Sequence, residues 1–255
     1  MSGVQTLTRD GLILHFEAAE AGGRYLAPIL ILPGLFHSEA CWRGMTSMLA
    51  HRGWNVYLLP RPEGGGWRQA IDSAARAATE LGEQVIVFGS DIGASLALAA
   101  SPRVRPLALA LFAPATPEHV GIAYKQQLGW IARRRTAKGA TAVSPPSSVA
   151  KALRRASDVA EESAELVADL VDGVGFERPG EHPPAIVFAP DGDPLVSSEH
   201  ALEFAGTPYA RAARTRLRGR WWPSDGWEPV TDDVHRFLIL TLADRVVEFP
   251  EEIIG

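Results

Sequence analysis

Short apolar runs, regularly spaced and separated by amphipathic stretches, set the organisation of this chain. Pro28 to Leu32, Asn55 to Leu59, Val85 to Phe88, Leu107 to Phe112 and Ala185 to Ala189 are too brief for helices. They are also too continuously apolar for strands with one wet face, and so predict strands buried on both faces of a parallel sheet. Between them, Glu39 to Arg52 places Trp42, Met45, Met48 and Leu49 on one helical face, and Gln69 to Leu81 has the same amphipathic spacing. Ala94 to Ala100 is rich in Ala and Leu and predicts a helix packed closely on the sheet. Leu12 to Glu17 reads as a strand forming a hairpin with Pro28 to Leu32 across the Gly22-Gly23 turn. The alternation of strand and helix predicts an α/β chain with a mostly parallel, doubly wound sheet.

The pattern breaks after Phe112. Helical spacing over Val120 to Arg135 and Ser147 to Val171, interrupted by Pro145-Pro146, shows no strand character. This segment is expected to be a helical cap above the C-terminal edge of the sheet, where ligand crevices of α/β proteins form. The predicted division is a core from 1 to 116, a cap insertion from 117 to 183, and the rest of the core from 184 to 255. The last part adds a helix at Ser198 to Ala205, a strand at Ala213 to Leu217 and a closing helix at Asp232 to Asp244.

Composition narrows the function classes. A chain of 255 residues that is 46% hydrophobic can bury a sizeable core, and a formal net charge of −5 with dispersed Lys and Arg gives no nucleic-acid footprint. Arg133-Arg134-Arg135 reads as the solvated end of a helix. One cysteine, Cys41, excludes an internal disulfide, and the spacings of the 7 histidines fit no short metal motif, so neither metal nor cofactor is expected. The N-terminus lacks a signal-peptide pattern and no run approaches the ~18 apolar residues that span a bilayer. The expectation is a cytoplasmic protein without a membrane partner; the pattern leaves oligomeric state open.

The chemistry-bearing stretch is Phe88-Gly89-Ser90-Asp91-Ile92-Gly93-Ala94, where a buried strand turns into a helix within two residues. Side chains at Gly89 and Gly93 would collide or strain the turn, so the residue between them is held out at its apex. That is the geometry of a nucleophile elbow, normally Gly-x-Ser-x-Gly, in which the N–H groups at the helix start stabilise an anion. Here Asp91 takes the apex, with Ser90 one place early. The bland alternative is that Asp91 only caps the helix.

Taken together these residues resemble the α/β-hydrolase superfamily, and within it the branch with an aspartate nucleophile, such as epoxide hydrolases and haloalkane or haloacetate dehalogenases. Leu32-Pro33-Gly34-Leu35-Phe36 is similar to the loop whose backbone amides help form the oxyanion hole, with Pro33 in place of the usual His. The resemblance implies that Leu35, Phe36 and Ile92 supply those amides. It implies a triad acid at Asp193, with Asp191 in reserve. The triad base should precede a Trp-Pro pair, but Trp221 stands there, with Trp222 the alternative, and no histidine lies between His200 and His235. Ile92 replaces the tryptophan that many dehalogenases carry after the nucleophile. Tyr124 is a candidate cap tyrosine and Trp130 a candidate pocket residue.

The missing histidine decides among reactions, because an alkyl-enzyme ester at Asp91 is cleaved only if a base activates water. Indole cannot take up a proton near neutral pH. One expectation is therefore a non-hydrolytic lyase, isomerase or cyclase acting on a small hydrophobic, even polycyclic, substrate lined by Trp221 and Trp222. There Asp91 would be a general base or electrostatic stabiliser. The second is an epoxide hydrolase or dehalogenase with a base from elsewhere, His37 or Asp225, and the third a ligand-binding pseudoenzyme. His37 is the histidine that the motifs place nearest Asp91.

Overall fold

The computed structural model describes residues 4–9, 11–20, 25–61, 64–114, 125–147, 159–173, 183–190, 196–201, 213–217 and 227–246. Eight strands form one sheet: β1 (Gln5–Arg9), β2 (Leu12–Glu17), β3 (Ile29–Leu32), β4 (Val56–Leu58), β5 (Ile86–Ser90), β6 (Ala108–Phe112), β9 (Ala185–Pro190) and β10 (Ala213–Leu217). A separate ribbon contains β7 (Ala142–Val143) and β8 (Glu162–Ser163). The helices are α1 (Arg43–His51), α2 (Trp67–Leu81), α3 (Ile92–Val104), α4 (Lys125–Thr136), α5 (Ala164–Asp172) and α6 (Trp227–Val246).

The sheet runs β1-β2-β4-β3-β5-β6-β9-β10. It is parallel from β4 through β10 and antiparallel at the β1-β2-β4 edge. Its central strands are buried along their whole length, as the continuous apolar runs require. The expected hairpin between Leu12 to Glu17 and Pro28 to Leu32 does not form. β2 pairs instead with Gln5–Arg9 on one side and β4 on the other, while β3 lies between β4 and β5. Gln5–Arg9 is mostly polar and largely exposed, an edge strand without a hydrophobic run to announce it.

Seating of the elbow helix depends on small side chains. α2 turns Ala70, Ala74, Ala75, Ala77 and Ala78 inward, and packs against α3, whose buried residues include Ala94, Ala97 and Ala100. The first turn of α3 is closer still. A side chain at Gly93 would run into the Leu32 and Pro33 carbonyls, and one at Gly89 into the backbone of Gly93 and Ala94. Helix, strand and oxyanion loop therefore touch backbone to backbone, which is the crowding expected of this turn.

At the other end of the chain, α6 is held by Trp54, which is fully buried, stacks on Tyr25 at 4.0 Å between ring centroids, and donates its indole N–H to His235 Nδ1 at 3.1 Å. The Arg52 guanidinium pairs with Asp232 on the same helix.

Several elements differ from the sequence expectation. Glu39–Trp42 is a 3-10 turn, and the α-helix expected from Glu39 starts only at Arg43. The insert between β6 and β9 was expected to lack strands, yet Glu162–Ser163 pairs with Ala142–Val143 and a shorter helix, α5, follows. Ser163 caps that helix, its side chain accepting from Leu166 N at 3.3 Å. Residues 120–124, 148–158 and 202–205 of the expected helices lie outside the described residues.

Candidate functional site

Asp91 stands at the end of β5 with φ 38° and ψ −107°, a backbone conformation that L-residues avoid and that costs about 1–3 kcal/mol. Its N–H continues the sheet ladder to the Phe112 carbonyl at 2.9 Å, so the strain is held by neighbouring strands. The side chain is 3% exposed.

The carboxylate faces the loop at 33–37. Oδ1 accepts from Leu35 N at 2.9 Å and also from Ile92 N, while Oδ2 lies 3.0 Å from Leu35 N. Two of the three amides that the sequence assigned to an oxyanion hole, those of Leu35 and Ile92, thus converge on the apex residue's own side chain. The bond from Ile92 is the capping bond of the bland reading; the bond from Leu35, across the sheet, is not explained by capping. Gly34 makes the arrangement possible, because a side chain there would overlap the Asp91 carboxylate and fall 2.8 Å from His37 Cε1.

His37 is buried and places Nε2 at 3.7 Å from Asp91 Oδ2. The separation exceeds a direct hydrogen bond. Burial, and then the nearby Arg61 cation, push the imidazole pKa down to about 3, so it is neutral across the physiological range. Trp42, from the turn that follows, packs 6.3 Å from the His37 ring and 5.9 Å from Phe112. Its buried indole N–H meets no acceptor among the described residues. Phe112 in turn stacks on Phe188 at 5.1 Å, so the floor beside Asp91 is aromatic.

Phe36 departs from its expected role. Its N–H donates to the Glu162 carboxylate and its carbonyl accepts from Ala160 N at 2.9 Å, so the amide is engaged by the insert and not by Asp91. Phe36 has φ 62°, a left-handed conformation costing a bulky residue of order 1–3 kcal/mol, and these two bonds hold it there. Next to it His37 bridges to Val159 in antiparallel fashion. Arg61 completes the surround, its guanidinium donating to the Pro33 carbonyl and pairing with Glu162 at 3.2 Å. Glu162 is buried; desolvation pushes its pKa up to about 7 against the opposing effects of Arg61 and the Phe36 amide. A cavity of about 400 Å³ opens beside this group, lined by His37, Arg43, Arg61, Ala160 and Glu161 among others.

Trp130 is far from this arrangement in character: it is 59% exposed on α4, the Arg134 guanidinium lies 5.0 Å over its ring, and it lines a separate groove of about 570 Å³. Asp193, Asp191, Tyr124, Trp221, Trp222 and Asp225 lie outside the described residues. Glu162, Arg61 and Trp42 are site neighbours that the sequence reading missed. A Glu beside another Glu in a helix-like stretch and an Arg at the start of a glycine-rich loop carry no signal of burial. Among the described residues no three His, Cys, Asp or Glu side chains cluster as a metal site, and no helix is long and apolar enough to cross a membrane.

The fold has close counterparts. A monoglyceride lipase from Saccharomyces cerevisiae, solved as a soluble variant with a substrate analogue, superposes with a TM-score of 0.72 at 10% identity, covering 94% of this chain and 96% of that one. A thermophilic esterase from Thermogutta terrifontis gives 0.67 at 17% identity over 93% and 97%. An N-formylmaleamic acid deformylase from Pseudomonas putida S16 gives 0.62 at 16% identity over 91% and 100%. No curated protein matches the chain in sequence. The model of the alpha/beta hydrolase family matches residues 29–254, which with the sheet order and the strand-to-helix elbow makes this chain a member of the α/β-hydrolase family.

Proposed function

We propose that the protein is a hydrolase that works through a covalent ester on Asp91, with His37 as the base that cleaves it. The observation that carries this reading is the aim of the Leu35 and Ile92 amides at the Asp91 carboxylate itself. In an enzyme with a serine at the apex such donors await the oxygen of a substrate carbonyl. Donors aimed at an apex carboxylate are placed for the oxyanion that forms when an aspartyl ester is attacked.

The substrate class is a small hydrophobic epoxide or alkyl halide. Asp91 Oδ2 attacks its carbon; a C–O bond forms to Asp91 as the epoxide C–O or the carbon–halogen bond breaks, leaving a halide or an alkoxide, and the alkoxide takes a proton from solvent water. A water seated against both His37 Nε2 and the ester then attacks Cγ, giving its proton to the neutral imidazole. The negative charge develops on Oδ1 between the two amides. On collapse the imidazolium gives its proton to the leaving oxygen, releasing the alcohol or diol, and the second proton of the water, left on the Asp91 carboxyl, passes to solvent and restores the carboxylate. With its pKa at about 3 His37 is neutral and free to accept a proton but a weak base, so the transfer is driven by the negative charge that forms as the water attacks.

The non-hydrolytic lyase, isomerase or cyclase reading keeps its original support, the missing histidine before Trp222-Pro223, but the histidine facing Asp91 weakens the reason for preferring it. Intact-mass measurement separates the two. Incubation of His37→Gln with an epoxide or alkyl halide series should leave an adduct on Asp91, of the epoxide's full mass or of the alkyl halide's mass less HX, absent in Asp91→Asn, whereas the unsubstituted protein turns over. Isomerisation of a ligand without adduct or water uptake in any variant would refute the hydrolase.

A further inference from the structure

The catalytic loop from Pro33 to His37 is gripped from outside the core. On one side the insert takes both polar groups of the Phe36 backbone: Ala160 N donates to its carbonyl at 2.9 Å, and Glu162 accepts from its N–H. On the other side the Arg61 guanidinium, carried by the loop after β4, accepts no freedom of its own because it is bound to the Pro33 carbonyl and paired with Glu162 at 3.2 Å. Both charged side chains are nearly removed from water, at 9% exposure for Arg61 and 1% for Glu162. A buried ion pair is not by itself a source of stability, since desolvation of the two charges offsets much of their attraction. Such a pair is better suited to fixing geometry, and the geometry it encloses is the one that matters for Asp91. Within the enclosed segment Leu35 N–H reaches the carboxylate, His37 comes to 3.7 Å from it, and Phe36 between them sits in a left-handed conformation.

Other connections tie the same part of the insert to the core. Ser163 Oγ donates to the Gly65 carbonyl at 2.7 Å, and Asp169 Oδ2 accepts from Trp67 N at 2.7 Å. These reach the neighbouring glycine-rich loop, however, and not the catalytic one. The Glu162–Arg61 pair, together with the Ala160 and Val159 backbone contacts, ties the insert to the catalytic loop.

We propose that Glu162 and Arg61 are positioning residues: a buried carboxyl–guanidinium pair between insert and core that holds the Pro33 to His37 loop so that the Leu35 amide and the His37 ring meet the Asp91 carboxylate. Their catalytic consequence rests on the hydrolase reading, whereas their effect on the loop does not. A ligand that shifts the insert would thereby shift the oxyanion amide and the base together.

The test uses Glu162→Gln, Glu162→Ala and Arg61→Met in the full chain, with two readouts. The first needs no substrate: amide hydrogen exchange of the peptide spanning 33–38 should speed up about tenfold or more in Glu162→Ala and Arg61→Met, while β5 and β6 keep their protection. Unchanged exchange in that peptide, or uniform loosening of the whole chain, overturns the proposal. The second is the breakdown rate of the Asp91 adduct formed with an epoxide or alkyl halide, which should fall at least tenfold while the rate of adduct formation changes less. Faster loop exchange with an unaltered breakdown rate also overturns it. Glu162→Gln keeps the side-chain shape and an acceptor for Phe36, so it reports on the charge alone if the alanine variant does not fold, and is expected to show an intermediate change in both readouts. If the unsubstituted protein and His37→Gln both fail to form any adduct, the hydrolase reading falls and the exchange result alone decides this proposal.

Discussion

Replacing Glu162 by Gln should change how the stability of the protein depends on pH, and the two buried titrating groups beside Asp91 allow the size to be worked out. The Glu162 carboxyl binds its proton more tightly folded than unfolded: its pKa rises from 4.5 to about 7, chiefly by desolvation. Between those values the folded state holds the extra proton, so stability is highest below pH 4.5 and falls as pH rises toward 7. At about 1.4 kcal/mol per pH unit the loss is about 3 kcal/mol. His37 has the opposite sign. Its pKa falls from 6.5 to about 3, so the unfolded state holds the extra proton and stability rises with pH through that interval, by about 5 kcal/mol in all. Between pH 4.5 and 6.5 the two contributions oppose and nearly cancel. Glu162→Gln removes one of them. Urea unfolding at a series of pH values should therefore show the stability of Glu162→Gln relative to the parent rising by about 3 kcal/mol between pH 4.5 and 7.5, and flat outside that window. A difference curve that is flat throughout, or that slopes the other way, would mean that Glu162 ionises as an ordinary exposed carboxyl and would refute the burial argument.

Other substitutions test other parts of the structure. Gly34→Ala should abolish at least 99% of adduct formation at Asp91 while the circular dichroism spectrum is retained, because the new methyl group displaces the carboxylate; full activity would contradict the close approach. Trp54→Ala should lower unfolding free energy by about 3–5 kcal/mol in denaturant titration, since a fully buried indole, its stack on Tyr25 and its bond to His235 are all lost. Trp130→Ala should leave both stability, within about 0.5 kcal/mol, and turnover unchanged, as its ring is largely in water; a large fall in turnover would return it to the substrate pocket. Trp42→Phe removes an indole N–H that no described acceptor meets, so its stability cost should stay below about 1.5 kcal/mol by the same titration.

Legibility of the fold followed hydrophobicity. The parallel strands and the elbow could be read because strands buried on both faces leave continuous apolar runs, and because Gly89 and Gly93 mark where backbones touch. Gln5–Arg9 could not, since an edge strand with a wet surface needs no apolar pattern. At the site, Asp91, Leu35, Ile92 and His37 were legible from two short motifs whose spacing is fixed by the turn they make. Phe36 was assigned to the same oxyanion group because adjacent amides look equivalent in a sequence; only the fold shows that its N–H turns to the insert. Glu162 was hidden for a different reason. Its neighbours Ala160, Glu161, Ser163 and Ala164 have helical composition, and the strand pairing and buried charge there depend on Ala142–Val143 and Arg61, which are remote along the chain.

The alanine faces of α2 and α3 also bear on how this protein can be altered. A contact made of methyl groups has little volume to lose, so trimming it changes little, but one added methylene has nowhere to go without moving a helix against the sheet. The apex of the elbow inherits that intolerance, because Asp91 is the residue from which α3 starts. Attempts to broaden what the protein accepts will therefore meet a hard limit on the α2 side of the sheet, where larger side chains unseat Asp91. Libraries that vary the insert and leave the alanines intact should retain a far higher proportion of folded, reactive members.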